Sequence, residues 1–256
     1  MSLISQSVRK LDHLAKMSGA AKYVEDVVLD GMYYGKIVRS SVAHGRFTAI
    51  HTPEMMPEYT LITAKDVPGK NNVHIVGDDH PVFSDGEVNF IGEAICMIVG
   101  PDKRQTAKYA AATKIDYELL EPCFDPKKSK TTFYEYGYEE GDWEAAFAEA
   151  DQVIDHEIFS GHQEHAYMEV QGMIADYHDG KLTLRGSMQC PFYVHTAVTP
   201  VMGMKPEDVA VIADETGGGF GGKEDYPSIL GSQVAVASYK VGHPVKCVFD
   251  RREDIT

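Results

Sequence analysis

A chain of 256 residues, 43% hydrophobic and 25% charged, is long enough to bury a core without disulfide or metal staples, and its composition excludes a disordered or low-complexity protein. Its net charge of -15 opposes binding to nucleic acid or to an anionic membrane surface, because both need clustered Lys and Arg. The four cysteines, Cys96, Cys123, Cys190 and Cys247, form no C-x-x-C pair, which argues against a zinc ribbon, a redox dithiol and an iron–sulfur site and reads as free thiols in a reducing cytoplasm.

No run approaches the ~18 apolar residues of a membrane span, and the N-terminus lacks the apolar core of a secretory signal, so a cytoplasmic protein is expected. Met1-Ser2-Leu3 is consistent with a cloning remnant. From Met32 to Ala64 short β-rich runs are broken by His44-Gly45, Pro53 and Pro57, which predicts a strand-dominated start. Phe90 to Gly100 reads as a buried strand, Asp102 to Lys114 as an amphipathic helix capped near Asp102, and IDYELL as a further strand, together a βαβ-like unit. The polar, Lys-rich run Glu121 to Thr132 carries two prolines and predicts a domain boundary, with a first domain over 15–122 and a second over 133–256.

In the second domain Asp142 is expected to cap a short helix WEAAFAEA, followed by a strand ADQVIDHEIF. His178-Asp179-Gly180 between alternating runs signals a hairpin, and PFYVHTAVTPVMG reads as a helix from Pro191 that Pro200 ends or kinks. The strand VAVIAD (Val209 to Asp214) leads to ETGGGFGGKE (Glu215 to Glu224), and a helix follows from Ser228 to Gly242. The closing strand PVKCVFD runs into charged residues that normally lead into more structure.

The stretch Glu215 to Glu224 matches two nucleotide patterns at once. Gly217, Gly219 and Gly222 satisfy G-x-G-x-x-G, and Gly217, Gly222 and Lys223 satisfy the phosphate loop except for its final hydroxyl. The first reading sets Glu224 and Asp225 at the helix entry, where they repel a pyrophosphate. The second sets a carboxylate at Glu224, where Ser or Thr would coordinate Mg²⁺. Positive φ or tight packing usually explains one or two glycines, and five in six is more than that account is expected to cover. A bulky organic anion lying against bare backbone amides, with Phe220 as a flat wall, is the alternative.

GGGFGGKE, together with GHQEHAYMEVQGMIA (Gly161 to Ala175), GSMQCPFYVHTAV (Gly186 to Val198) and SGAAKYVEDV (Ser18 to Val27), resembles the molybdopterin-binding subunit of the xanthine dehydrogenase and aldehyde oxidase family. The resemblance covers nearly the whole chain. It implies an α+β protein, with an N-terminal α/β hammerhead domain followed by the first part of a mixed α/β molybdopterin-binding domain. It also implies molybdenum-dependent hydroxylation of a purine-like heterocycle, with an aldehyde substrate or a non-catalytic binding module as alternatives.

By that resemblance Gln163 hydrogen-bonds the oxo group of the metal centre, and Gly219, Phe220 and Gly221 belong to the loop beside the molybdenum–molybdopterin cofactor. Glu224 falls where purine-oxidising members carry a glutamate, against the plain reading of a solvated acid at a helix start. His162 and His165, spaced H-x-x-H, are not expected to bind metal, and Cys190 is expected to be structural rather than a ligand. The family's base glutamate and a charge-stabilising arginine are expected beyond Thr256, so no catalytic residue is assigned. The chain is expected to be the N-terminal piece of a larger subunit, cofactor-free and inactive alone, exposing apolar surface and prone to self-association. Its implied partners are iron–sulfur and flavin domains or subunits, the remainder of its own subunit and further copies in a homo-oligomer.

Overall fold

The structure, a computed structural model, describes residues 6–75, 77–78 and 80–255; Met1-Ser2-Leu3 lies outside the described residues. After a short helix α1 (His13–Ser18), the β-rich start gives β1 (Tyr33–Arg39), β2 (Gly45–His51) and β3 (Thr60–Ile62). Next come β4 (Glu87–Val88), β5 (Ala94–Gly100), α2 (Lys103–Ala112) and β6 (Lys114–Leu119). Asp102 caps α2 by accepting from the Gln105 N–H at 2.7 Å, which satisfies one of the donors that a helix start leaves unpaired.

The strands on either side of α2 do not form a βαβ unit. β5 pairs antiparallel with β1, while β6 pairs antiparallel with β2 in a separate three-stranded sheet. Burial explains the separation: every residue of β5 is buried, whereas β6 alternates between half-buried and exposed positions. A strand covered on both faces sits inside a large sheet, and a half-covered one serves a small outer sheet. Ile37, Met97 and Val99 join one core cluster, and Val38, Cys96 and Ile98 with Ala110 of α2 join another. The two faces of β1 and β5 therefore feed different cores, as period-two alternation requires.

The chain divides into two units, one comprising the described residues up to Leu120 and from His165 onward, the other Glu121–Glu164. The smaller unit holds α3 (Trp143–Glu149), capped as expected by Asp142 through the Ala145 N–H at 2.9 Å. The strand expected over ADQVIDHEIF is absent. Val153, Ile154, Ile158 and Phe159 are exposed, and among the described residues no ladder partner lies alongside to take up the backbone N–H and C=O groups a strand would present.

In the larger unit β7 (Gly172–His178) and β8 (Lys181–Gly186) form the expected hairpin, with Asp179 at φ 48 and Gly180 at φ 75. Two positive φ values make the tight mirror-image turn that matches strand twist. Helix α4 (Pro191–Met202) runs past Pro200 by two residues, and the Pro200 and Val201 carbonyls at its end accept from Lys70 and Gly69. Strand β9 (Val209–Ala213), helix α5 (Tyr226–Val241), strand β10 (Val245–Val248) and helix α6 (Arg251–Ile255) complete the order. Helix α5 is buried continuously from Pro227 to Ser238 and shares one core cluster with α4, β7 and β8. The segments before and after Glu121–Thr132 share one seven-stranded sheet, β3-β5-β1-β10-β7-β8-β9, because β1 pairs in parallel with β10.

The hairpin turn gives a local test. Gly180→Ala forces a Cβ into the left-handed region and is expected to cost about 1 kcal/mol. Urea unfolding should show a lower midpoint with an unchanged slope.

Candidate functional site

Lys223 determines how the glycine loop is built. Its side chain is fully buried, its ammonium donates to Glu169 Oε2 at 3.0 Å and to Ser187 Oγ at 2.8 Å, and it stands 4.8 Å over the Tyr167 ring. Burial pushes the Lys223 pKa down, and the Glu169 carboxylate opposes that shift. A lysine turned inward onto its own carboxylate cannot reach out to a nucleotide phosphate. Helix α5 begins only at Tyr226, behind Glu224 and Asp225, which removes the pyrophosphate-binding geometry as well.

Glu169 Oε2 also accepts from the Gly217 N–H at 2.7 Å and from the Ser187 hydroxyl at 2.6 Å. One carboxylate thus holds both ends of the loop. The middle is tied by Gln189, whose Oε1 accepts from the N–H groups of Gly221 at 3.0 Å and Lys223 at 3.3 Å. Gln171 Nε2 donates to the Gly222 carbonyl at 2.6 Å and to the Tyr167 hydroxyl at 3.0 Å.

These contacts account for all five glycines, contrary to the expectation that local structure could not. A Cβ on Gly217 would lie 2.5 Å from Glu169 Cβ, one on Gly219 2.3 Å from Gln189 Oε1, and one on Gly222 2.6 Å from the Tyr167 ring. Gly218 and Gly221 adopt φ of +100 and +99, where side chains are strained. Close approach to protein atoms and positive φ therefore suffice. The tip is different. Phe220 has φ 52 although it is not glycine, and it is 77% exposed. Among the described residues, the N–H groups of Gly218, Gly219 and Phe220 have no protein acceptor.

Glu224 is half-buried, at the loop exit before α5. It and Asp225 lie close enough to Cys190 that their charges, after burial itself, push the thiol pKa up. Raised thiol pKa values favour the neutral form, which is a poor metal ligand. Gln163 and His162 are exposed and belong to the smaller unit, whereas His165 belongs to the larger one and lies against the loop, near Gly222. Among the described residues, no three His, Cys, Asp or Glu side chains gather as a metal site, and no helix is long and apolar enough to cross a membrane.

The profile for the aldehyde oxidase and xanthine dehydrogenase a/b hammerhead domain matches residues 18–121, and that for the molybdopterin cofactor-binding domain matches residues 124–256. The chain belongs to the xanthine dehydrogenase and aldehyde oxidase family. Its fold is accordingly a hammerhead domain followed by a molybdopterin-binding domain.

Xanthine dehydrogenase/oxidase of Mus musculus is 33% identical over 96% of the chain, and aldehyde oxidase 2 of Macaca fascicularis is 32% identical over 98%. The chain spans 19% of the length of each. Among solved structures, CO dehydrogenase from Oligotropha carboxidovorans superposes with a TM-score of 0.82 at 28% identity, covering 98% of this chain and 35% of that one. Quinoline 2-oxidoreductase from Pseudomonas putida 86 shares the fold with a TM-score of 0.84 at 23% identity, covering 98% of this chain and 35% of that one.

Glu169, Ser187 and Gln189 have no role in the motifs as read from the sequence, and Lys223 has only that of the rejected phosphate loop. Their signal was present: each is a polar residue inside one of the motif segments. The structure brings three of those segments together through them.

Two measurements probe this construction. Gly219→Ala displaces Gln189 and leaves two loop N–H groups unpaired, an expected cost of about 1–3 kcal/mol in chemical unfolding. Thiol chemistry reads burial: Cys96 and Cys247 are pushed up to about 12 by burial, so their thiolate is scarce until strongly alkaline pH. Alkylation at about pH 8 followed by peptide mapping should label exposed Cys123 well before either.

Proposed function

We propose that this chain is part of a molybdenum hydroxylase acting on a purine-like heterocycle with water as the oxygen source. In this reading Gln163, Gly219, Phe220 and Gly221 face the molybdenum–molybdopterin cofactor, and Glu224 faces the substrate. The hammerhead and molybdopterin-binding regions are taken as 15–122 and 133–256. The observation that carries the reading is the loop tip. Phe220 occupies a strained backbone conformation and buries little of its ring, and such strain persists where a ligand makes use of it.

The residues present fit an anionic organic cofactor. Three successive N–H groups, of Gly218, Gly219 and Phe220, are left to donate to it, as successive amides do around anions. The Phe220 ring supplies an apolar wall that excludes water from one side. When bound, the cofactor supplies the metal that activates the oxygen donor and takes up the electrons of the oxidation. Gln163 offers a neutral amide that can donate without adding charge. Glu224 offers a carboxylate that accepts from a heterocycle N–H, or donates to its C=O when protonated. The electrons leave through iron–sulfur and flavin domains or subunits.

An aldehyde substrate is the second reading, supported by an identity to aldehyde oxidase 2 nearly equal to that with xanthine dehydrogenase/oxidase. Glu224 favours the heterocycle, because an aldehyde offers no N–H for a carboxylate to recognise.

The complete natural protein is expected to contain molybdenum and pterin. A well-folded preparation that acquires neither under conditions that load related enzymes sinks the enzyme reading in favour of a binding module. In the loaded enzyme, Glu224→Val should remove about 2–4 kcal/mol of transition-state binding for a purine and leave an aromatic aldehyde nearly untouched. Gln163→Ala should depress both substrates. Equal effects of Glu224→Val on the two, compared as kcat/KM, would return Glu224 to the role of an acid at a helix start.

A further inference from the structure

The geometry points to the Lys223–Glu169 ion pair as a latch that fixes the glycine loop in the one shape that presents Phe220, which makes both residues positioning residues for whatever binds at the tip. Three observations carry this. The Glu169 carboxylate accepts from Gly217 at the start of the loop and from Lys223 at its end, so a single group closes a seven-residue segment like a clasp. Lys223 is 0% exposed, and the Glu169 side chain only 12%, so water has no access to the ammonium and little to the carboxylate. Between the two ends of the clasp, the N–H groups of Gly218, Gly219 and Phe220 have no protein acceptor among the described residues, and Phe220 is the strained residue.

The pair is ionic in a place where most folds bury apolar atoms. Removing one partner from a buried pair leaves the other charge without its compensation, which destabilises the closed loop. Glu169 keeps three neutral donors without Lys223, namely Gly217, Ser187 and Val24, so loss of the lysine should loosen the loop and spare the sheet. The core beneath does not depend on the latch: α5 and the β7–β8 hairpin are held by an apolar cluster that includes Leu182, Leu184, Leu230 and Val234.

The part concerning what binds at Phe220 rests on the function proposed above; the latch itself does not. The test has two arms. In the first, backbone hydrogen exchange is followed residue by residue in the chain and in Lys223→Met. The amides of Gly217, Gly221 and Lys223 should exchange about 100-fold faster in the variant, with those of α5 and the hairpin within a few-fold of the parent. Unchanged loop exchange, or acceleration spread evenly through α5 and the hairpin, overturns the latch. Should Lys223→Met not fold, Lys223→Gln keeps a donor within reach of Glu169 and removes only the charge, and it is read the same way.

In the second arm, the complete loaded enzyme carrying the same variant is assayed per bound molybdenum. Turnover of a purine and of an aldehyde should fall together by about tenfold or more, because the tip serves the cofactor and not one substrate. Full turnover alongside a loosened loop overturns the positioning role. If the complete parent protein holds no molybdenum, the function reading fails while the exchange arm still decides the latch.

Discussion

A buried cation meeting a largely buried carboxylate is the constraint on which the rest of this molecule's candidate site depends. Lys223 and Glu169 come from segments 54 residues apart, and the buried ammonium depends on that carboxylate for its compensating charge. Their meeting fixes where the glycine loop starts and ends. It also draws in Ser187 from the end of the hairpin and sets the lysine against the Tyr167 ring. Glu169, Gln189 and Tyr167 then stand where side chains of Gly217, Gly219 and Gly222 would lie, and Gly218 and Gly221 take positive φ. The glycines are thus consequences of close protein contacts and of the turn's positive φ, and the exposed phenylalanine is what that turn projects outward.

The scaffold beneath explains why the loop can be held so closely. Helix α5 is covered on all sides over three turns, and the sheet behind it draws β1 and β5 from the hammerhead region and β7 to β10 from the molybdopterin-binding region. A loop entering such a helix has little room to move at its downstream end. Helix α6 adds a second support, since Asp254 accepts from the Gln171 N–H and Arg251 donates to the Tyr167 and Met168 carbonyls. The residues that touch the loop are therefore themselves tied from behind, which is what an accurately placed site requires.

Much of this was legible in the sequence where the cause is local. The His178-Asp179-Gly180 turn, the Asp102 and Asp142 caps and the helix starting at Pro191 depend on neighbours a few residues away, and each formed where its signal lay. Failures arose where the partner is remote. Whether β6 joins β5 or β2 is decided by burial on two faces, which a single strand's pattern cannot display. ADQVIDHEIF has strand-like residues and no strand to pair with. The glycine loop illustrates the same limit at the site. Its text matched two nucleotide motifs, and the departure at Glu224 was enough to reject one of them. The inward turn of Lys223 became visible only with Glu169 and Ser187 in place. Family membership was readable because four segments recur in order, whereas the clasp that links three of them acts across 32 to 54 residues of chain.

The central claim is that the loop is shaped by its own fold before anything binds at its tip. Crystal structures of the complete protein with and without its cofactor compare those states directly. The account predicts that residues 217–223 superpose in the two, with Lys223 on Glu169 and Phe220 at positive φ in both. A cofactor-free structure in which Lys223 has left Glu169, or in which Phe220 relaxes to negative φ, would contradict it.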